Sequence, residues 1–257
     1  MSAVKDFGAY LESRFEVRTV PVSQPLTWLR KGFDDMLQRP VSSLSYGVLI
    51  AAMGALLLGL GPHPFLVAAA ISGFLLIAPV LSTGLCELSR QHEIGNASGF
   101  EDSLQALSRN RSGLLTFGGC LLALSAAWFL LSSLMLYLVS FGHGAPALSA
   151  ALWGGLLDQV TVFQVLSYLV IGGVLAGVVF ALSAVTVPLL IDREVDAYDA
   201  MRASLQATRA NLPAMAAWAG LIVVLTAIGY ATFLFGMVVV FPLLGHATWH
   251  AYRDIVK

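Results

Sequence analysis

Long apolar runs alternate with short polar segments along the whole chain. A helix rises about 1.5 Å per residue, so about 20 apolar residues cross the roughly 30 Å hydrocarbon core of a membrane. The pattern predicts an all-α membrane protein with six transmembrane helices, arranged as three hairpins. The predicted spans are residues 44–61, 64–85, 113–140, 163–190, 213–230 and 232–248.

A weaker pattern precedes each odd-numbered span. Apolar residues recur there at spacings of three and four, which places them on one face of a helix. The three sets are Leu26, Leu29, Phe33 and Met36; Phe100, Leu104 and Leu107; and Val195, Tyr198, Met201 and Leu205. The chain is therefore predicted to use one unit three times, an amphipathic helix followed by a membrane hairpin.

Short sequence matches favour three parallel repeats of this unit. The segment 103–106 (Ser-Leu-Gln-Ala) recurs at 204–207, and Asn110 matches Asn211 at the same offset. A proline lies near the same end of each even-numbered span, at Pro79, Pro188 and Pro242. We therefore predict an N-terminal segment over 1–43, a six-helix transmembrane domain of three parallel repeats over 44–248, and a tail over 249–257.

Lysine and arginine are distributed on one side of the predicted topology. All 14 fall before the first span, after the last span, or in the connections that follow the second and fourth spans. Cytoplasmic loops of membrane proteins are enriched in these residues. The distribution predicts that both termini and all three amphipathic helices lie in the cytoplasm.

Composition narrows the functional class. Hydrophobic residues make up 58% of the chain and charged residues only 11%, whereas about a quarter of a soluble domain is charged. A net charge of −1 gives no reason to expect a nucleic-acid partner. The predicted spans hold almost no charge, which weakens an ion-pumping role. No phosphate-binding loop, Ser-His-Asp order or HExxH motif occurs, so we expect no enzyme activity and no cofactor.

The C-terminal segment holds the one candidate metal site. His246 and His250 are four residues apart, so a helix places them on one face, where both can bind a single metal ion. Further ligands would have to come from elsewhere, for example from Cys86, Glu87 and His92. The favoured alternative is an interfacial girdle, with Trp249, Tyr252 and Arg253 anchoring the helix at the lipid headgroups.

Small residues recur at four-residue spacing in two spans. The two sets are Ala51, Ala55 and Gly59 in the first span, and Gly173, Gly177 and Ala181 in the fourth. Such positions let helices approach closely within a membrane. We expect these faces to pack inside the helix bundle, and the alternative is contact with another subunit.

Stretches at both ends of the chain resemble a known family. They are Val20-Pro21, 25–35 (PLTWLRKGFDD) and 43–47 (SLSYG) near the start, and 242–254 (PLLGHATWHAYRD) near the end. These stretches are similar to the DUF2189 family of proteobacterial integral membrane proteins. The resemblance implies a bacterial inner-membrane protein of six spans, and it transfers no residue role.

Two functional classes remain at this point. The first is a non-catalytic accessory subunit, scaffold or assembly factor of a membrane complex, with the lipid bilayer and other membrane subunits as its partners. The second is a channel or carrier for a small or apolar solute. The small-residue faces and the scarcity of buried charge favour the first class.

Overall fold

The computed structural model describes residues 15–59, 74, 77–140 and 162–257, and most of these residues are helical. The helices are α1 (Gln24–Gln38), α2 (Pro40–Gly59), α3 (Thr83–Glu93), α4 (Phe100–Leu104), α5 (Ala106–Arg109), α6 (Arg111–Ser140), α7 (Val162–Ser183), α8 (Thr186–Asp192), α9 (Ala197–Ala210), α10 (Leu212–Ala231) and α11 (Met237–Ile255). An isolated antiparallel bridge joins Val17 to Val256. The predicted all-α class is confirmed for the described residues.

Four helical stretches are long and apolar enough to cross a membrane. They are Pro40–Leu57, Arg111–Met135, Leu166–Asp192 and Leu212–Ala231, which correspond to predicted spans one, three, four and five. Predicted span two lies largely outside the described residues. Predicted span six falls in α11, which is not one of the four, and the C-terminal half of α11 carries histidines and charges. The structure thus supports several membrane helices, and the count of six stays a prediction.

The predicted amphipathic helices are present, with one division. α1 covers the first predicted stretch, and α9 covers the third except for Val195, which precedes the helix. The second stretch is divided at Gln105 into α4 and α5. Asp196 caps the start of α9, because its carboxylate accepts a hydrogen bond from the Asp199 amide at 2.7 Å. The polar end of predicted span two continues as α3, a separate helix that the sequence pattern did not indicate.

The fourth predicted span is broken near its end. α7 ends at Ser183 and α8 begins at Thr186, so Ala184 and Val185 lie outside both helices. A buried hydroxyl fills the break: Ser204 donates to the carbonyl of Ala181 at 2.8 Å and accepts from the Val185 amide at 3.3 Å. α9 thereby supplies the hydrogen bonds that the interrupted helix lacks.

The chain divides into two compact units. The first unit contains Met1–Ala51, Pro79–Phe117 and Phe180–Lys257, and the second contains Ala52–Ala78 and Gly118–Val179. All 14 lysines and arginines belong to the first unit. In the second unit, the Trp128 ring packs on the Tyr168 ring with centroids 4.9 Å apart, and the edge of Trp128 lies against Gly172. These contacts join α6 to α7.

The centre of the first unit is α11, which packs most extensively against α1. A Cβ added to Gly32 in α1 would lie 2.7 Å from the backbone nitrogen of Ala247, so only glycine fits there. The same holds at Gly47 in α2, where an added Cβ would clash with the Val238 carbonyl. The indole of Trp28 meets Trp218 of α10 edge to face, with centroids 5.8 Å apart.

The same junction occurs at three places in the first unit. Arg39, Asn110 and Asn211 each separate an amphipathic helix from a long apolar helix, with φ near −130° and ψ from 33° to 61°. A buried aromatic side chain follows seven residues after each junction; these are Tyr46, Phe117 and Trp218. The local structure therefore repeats three times, although the junction side chain itself is not the same.

Two of these junctions are bound to a neighbouring segment. Asn110 donates from its side chain to the carbonyl of Val195 at 2.7 Å, just before α9. Asn211 donates to the carbonyl of Arg18 at 3.0 Å and accepts from the amide of Val20 at 2.8 Å, just before α1. Each asparagine thus links the start of an apolar helix to the segment that precedes another amphipathic helix.

Candidate functional site

A buried polar cluster in the first unit is built around the carboxylate of Asp35. His92 Nδ1 lies 2.8 Å from Asp35 Oδ1, and His250 Nε2 lies 2.9 Å from Asp35 Oδ2. Ser89 donates its hydroxyl proton to Asp35 Oδ2 at 2.5 Å. Because an ionised carboxylate only accepts hydrogen bonds, both imidazoles must donate to it. Asp35 thus gathers donors from α3 and α11 onto α1.

A third imidazole extends this cluster towards α2. His246 Nδ1 lies 2.8 Å from Ser89 Oγ, and His246 Nε2 lies 2.9 Å from Ser43 Oγ. Ser89 already gives its proton to Asp35, so it accepts from His246 Nδ1–H. The neutral ring then accepts at Nε2 from the Ser43 hydroxyl. A directed hydrogen-bond chain therefore runs from Ser43 through His246 and Ser89 to Asp35.

The environment of Asp35 favours its charged form. Only 6% of the residue is exposed, and burial raises the pKa of its carboxyl. Hydrogen bonds from His250, Ser89 and His92, together with the charge of His250, lower that pKa by more. The net pKa of Asp35 lies below its ordinary value, so the carboxylate is ionised at neutral pH.

The position of Asp35 does not require a polar side chain for packing. Counting back four residues from the three junctions reaches Asp35, Ala106 and Ala207. Ala106 and Ala207 are fully buried, and they fill the equivalent site with a methyl group. The carboxylate is therefore a feature of the first junction alone, and it meets histidines that only α3 and α11 supply.

A second buried carboxylate lies near the cluster on α3. Glu87 is 1% exposed and forms a two-point ion pair with Arg90, at 2.8 and 2.9 Å. Arg109 of α5 reaches the same carboxylate at 3.0 Å. Burial raises the pKa of Glu87, but these cations and Gln91 lower it by more, so the net pKa is depressed. The Glu87–Arg109 ion pair fastens α3 to α5.

The predicted interface anchors lie mostly inside the protein. Trp249 is 1% exposed and donates from its indole to Glu93 at 2.9 Å. Tyr252 is fully buried and donates to Asp192 at 2.6 Å. Arg253 is partly exposed and pairs with Glu93 at 2.7 Å. The sequence pattern predicts these rings at lipid headgroups, whereas the structure buries both rings against protein.

The candidate metal ligands are directed at different partners. His246 uses both ring nitrogens on serines, while His250 binds Asp35. In the part of the chain that the structure describes, no group of three or more His, Cys, Asp or Glu side chains has an arrangement that could hold a metal ion. The buried thiol of Cys86 donates a hydrogen bond to the carbonyl of Gly245 at 3.5 Å, and the carboxylate of Glu87 forms ion pairs with arginines.

The small-residue faces lie beside the helix faces that are buried. In α7, Gly173 and Gly177 are exposed, and a Cβ on either would meet no described atom within 4 Å. Gly172, one residue earlier, is the glycine that contacts Trp128. Ala181, also in α7, accepts a hydrogen bond from Ser204 through its carbonyl. In α2, Ala51 is half-buried and Ala55 is exposed, while the neighbouring Ile50 and Gly54 are buried. Gly59 is the last residue of α2.

Sequence reasoning missed the centre of the cluster. Asp35 lies on the same helical face as Trp28 and Gly32, one position away from the apolar stripe that the periodicity selects. A carboxylate on a face with Trp and Gly is a signal that could have been noticed. Ser89 and Ser43 carry no comparable signal, since buried serines are common in membrane helices.

Two clefts formed by the described residues are not lined by Asp35 or by the three histidines. The larger cleft, of about 680 Å³, is lined by Arg109, Asn110, Gly113 and residues 190–198. A smaller cleft is lined by residues 38–42 and 97–99. Asp35, Ser89 and His246 thus use their hydrogen-bonding groups within the protein, whereas the side chain of His92 is 38% exposed.

Comparison with known proteins gives one family match, to the middle of the chain. The model of a family described as "Predicted integral membrane protein (DUF2189)" matches residues 66–192. No curated protein and no solved structure matches the chain significantly. The matched range includes α3 to α8, whereas the end segments that resembled this family, 20–47 and 242–254, lie outside it. Residues 66–192 therefore match the DUF2189 family of predicted integral membrane proteins, and this match supports the family that the end segments resemble.

Proposed function

We propose that this protein is a non-catalytic, multi-pass protein of the bacterial inner membrane that acts as an accessory subunit, scaffold or assembly factor of a larger complex. Its termini and its polar helices lie in the cytoplasm. The segregation of every Lys and Arg into the segments of the first unit supports this orientation.

The observation that carries the non-catalytic role is that the central groups of the cluster, Asp35, Ser89 and His246, are already hydrogen-bonded within the protein. A catalytic carboxylate or imidazole needs an approach for a substrate and a free position within hydrogen-bond reach of it. Here His246 is occupied on both nitrogens, and the carboxylate of Asp35 accepts three hydrogen bonds. Such a network holds helices in fixed positions, which is what a scaffold for other subunits requires.

The exposed face of α7 supports a partner within the membrane. Gly173 and Gly177 leave the helix backbone uncovered, and large apolar side chains such as Leu169, Val170 and Val174 surround them. A helix of another subunit can approach such a face closely, since no side chain keeps the two backbones apart.

The test uses the chain in its native membrane, extracted in a mild detergent. We expect the wild-type chain in a complex larger than one subunit, with other proteins identified in it by mass spectrometry. Gly177→Leu should remove this larger species while the isolated protein keeps its melting temperature. Val178→Leu, one position away on the same exposed stretch, should leave the larger species intact.

Three results would contradict the proposal. The first is a wild-type chain that runs alone or only with copies of itself. The second is a complex that is unaffected by Gly177→Leu. The third is selective solute flux through liposomes that contain the purified protein alone, which would indicate a channel or carrier.

A further inference from the structure

The last helical hairpin, α10 and α11, is joined by a tight turn at residues 232–236. No charged side chain occurs between Leu212 and Tyr252. Hydropathy alone therefore treats α10 as a helix that crosses the membrane. The contacts of the hairpin indicate a different depth.

The turn lies beside the beginning of α2. The backbone of Val238, directly after the turn, packs against Gly47. From Gly47 to its end at Gly59, α2 rises for a further distance of about 18 Å. If the turn reached the far membrane surface, this apolar part of α2 would extend past the hydrocarbon. The turn is therefore near the membrane surface at which α2 enters.

Comparison with α6 leads to the same depth. Asn110 and Asn211 are equivalent junctions, and Phe117 and Trp218 are the buried aromatic residues seven positions later. Beyond Phe117, α6 rises about 35 Å, which is enough to cross the hydrocarbon core. Beyond Trp218, α10 rises only about 20 Å, which is too short.

The polar cluster excludes a deeper position. His246 lies about 15 Å along α11 from the turn. A turn at the far surface would place His246, Ser89 and the ionised Asp35 near the middle of the bilayer. Charged side chains at that depth are costly and rare. A turn within the near leaflet leaves the cluster at or outside the membrane surface.

The tip of the hairpin has the features expected of a segment that lies in the hydrocarbon core. Phe233 is 86% exposed and Phe235 is 79% exposed. Each backbone N–H from Thr232 to Val239 has an acceptor inside the hairpin, including the hydroxyl of Thr232, which accepts from the Gly236 amide at 2.8 Å. Lipid offers no hydrogen bonds, so a backbone inside it must satisfy its own donors. An aqueous turn has no such requirement.

We propose that α10 and α11 form a re-entrant hairpin, which enters the membrane from the surface at which α2 enters and turns back within that leaflet. Phe233 and Phe235 insert among the acyl chains, and the occupant of this surface is lipid. Predicted spans five and six therefore do not cross the membrane. The proposal is independent of the accessory role, because it concerns depth and not partners.

The test uses single cysteines in the full-length chain with Cys120→Ala; Cys86 is fully buried and is kept. Phe235→Cys reports the tip, and its backbone, unlike that of Phe233, is not left-handed. Asp34→Cys, on the exposed side of α1, is the matched aqueous control. An impermeant maleimide is applied to sealed vesicles of each orientation, and a fluorophore on Cys is then tested for quenching by lipids spin-labelled along the acyl chain.

We expect the Asp34→Cys chain to react from one side only and the Phe235→Cys chain to react from neither side until it is denatured. The fluorophore at position 235 should be quenched several-fold more by chain-labelled lipid than the one at position 34. Reaction of Phe235→Cys from the side opposite to Asp34→Cys would show a complete crossing and overturn the proposal. Reaction from the same side would show an aqueous tip and overturn it equally.

Discussion

Asp35 shows how a single side chain can distinguish one of three similar junctions. Its counterparts, Ala106 and Ala207, pack as methyl groups, so the backbone arrangement does not depend on a carboxylate. At Asp35 the same position instead accepts hydrogen bonds from Ser89, His92 and His250. The carboxylate therefore ties α1 to two helices that are distant in sequence.

Replacing this carboxylate tests its contribution to stability. Asp35→Asn keeps the shape but places an NH₂ group where three donors converge, leaving buried polar groups unpaired. We expect the free energy of unfolding to fall by about 3 kcal/mol. Asp34→Asn changes an exposed carboxylate on the same helix and should alter it by less than about 0.5 kcal/mol. Equal effects of the two changes in detergent unfolding experiments would contradict this role.

The contribution of Asp35 should also depend on pH. Because folding lowers the pKa of Asp35, its stabilisation is present above the ordinary value of 3.8 and is lost as the pH falls through the lower folded value. The stability gap between wild type and Asp35→Asn should therefore narrow below pH 3.8. Because His92, His246 and His250 surround the carboxylate, the dependence of stability on pH is also measured with His250→Gln. A gap that persists unchanged to about pH 2.5 would contradict the depressed pKa.

At the scale of elements, the junction asparagines have a role that the sequence match alone does not reveal. Asn110 and Asn211 repeat because each binds the backbone of a segment that precedes another amphipathic helix. Arg39 has the same backbone conformation with a different side chain, so sequence comparison finds only two of the three junctions. Backbone geometry can thus repeat where side chains do not.

Asn211→Ala tests this link between segments. The change removes hydrogen bonds to Arg18, Val20 and Ala207, and it should lower the free energy of unfolding by about 2 kcal/mol. The segment before α1 should also become more sensitive to protease. Asn96→Ala is the control, because Asn96 is exposed and binds only a nearby glutamine side chain. Undiminished protease resistance in Asn211→Ala would argue against the link.

Periodicity predicts where the helices lie along the chain more reliably than it predicts which face of each helix is buried. The stripe that includes Leu26 and Phe33 in α1 is apolar, yet these residues are exposed and the face with Trp28 and Gly32 is buried. Close packing on α11 selects the smaller Gly32, and the larger apolar side chains remain outside. The same one-residue shift separates Gly172 from Gly173 in α7. Adjacent faces of a largely apolar helix differ too little in sequence for pattern alone to choose between them.

At the scale of the whole molecule, the candidate site could not be predicted because its residues are far apart in sequence. Asp35, Ser89 and His246 belong to three different helices, and no local spacing connects them. The spacing of the C-terminal histidines predicts that they lie on one helical face, but the partner that gives His250 its role is more than two hundred residues away. Only the packing of α11 between α1 and α3 brings these groups together.

The packing of α1 against α11 has a consequence for biosynthesis. α1 leaves the ribosome among the first helices, but the surface that covers Trp28 and Gly32 belongs to the last helix of the described chain. Asp254, which accepts from the indole of Trp28 at 2.9 Å, is translated later still. Until α11 is made, Asp35 lacks its hydrogen bond from His250, and the indole of Trp28 lacks its acceptor Asp254. The nascent protein therefore carries an unfinished surface throughout translation, which a membrane chaperone or protease could use to distinguish incomplete chains from complete ones.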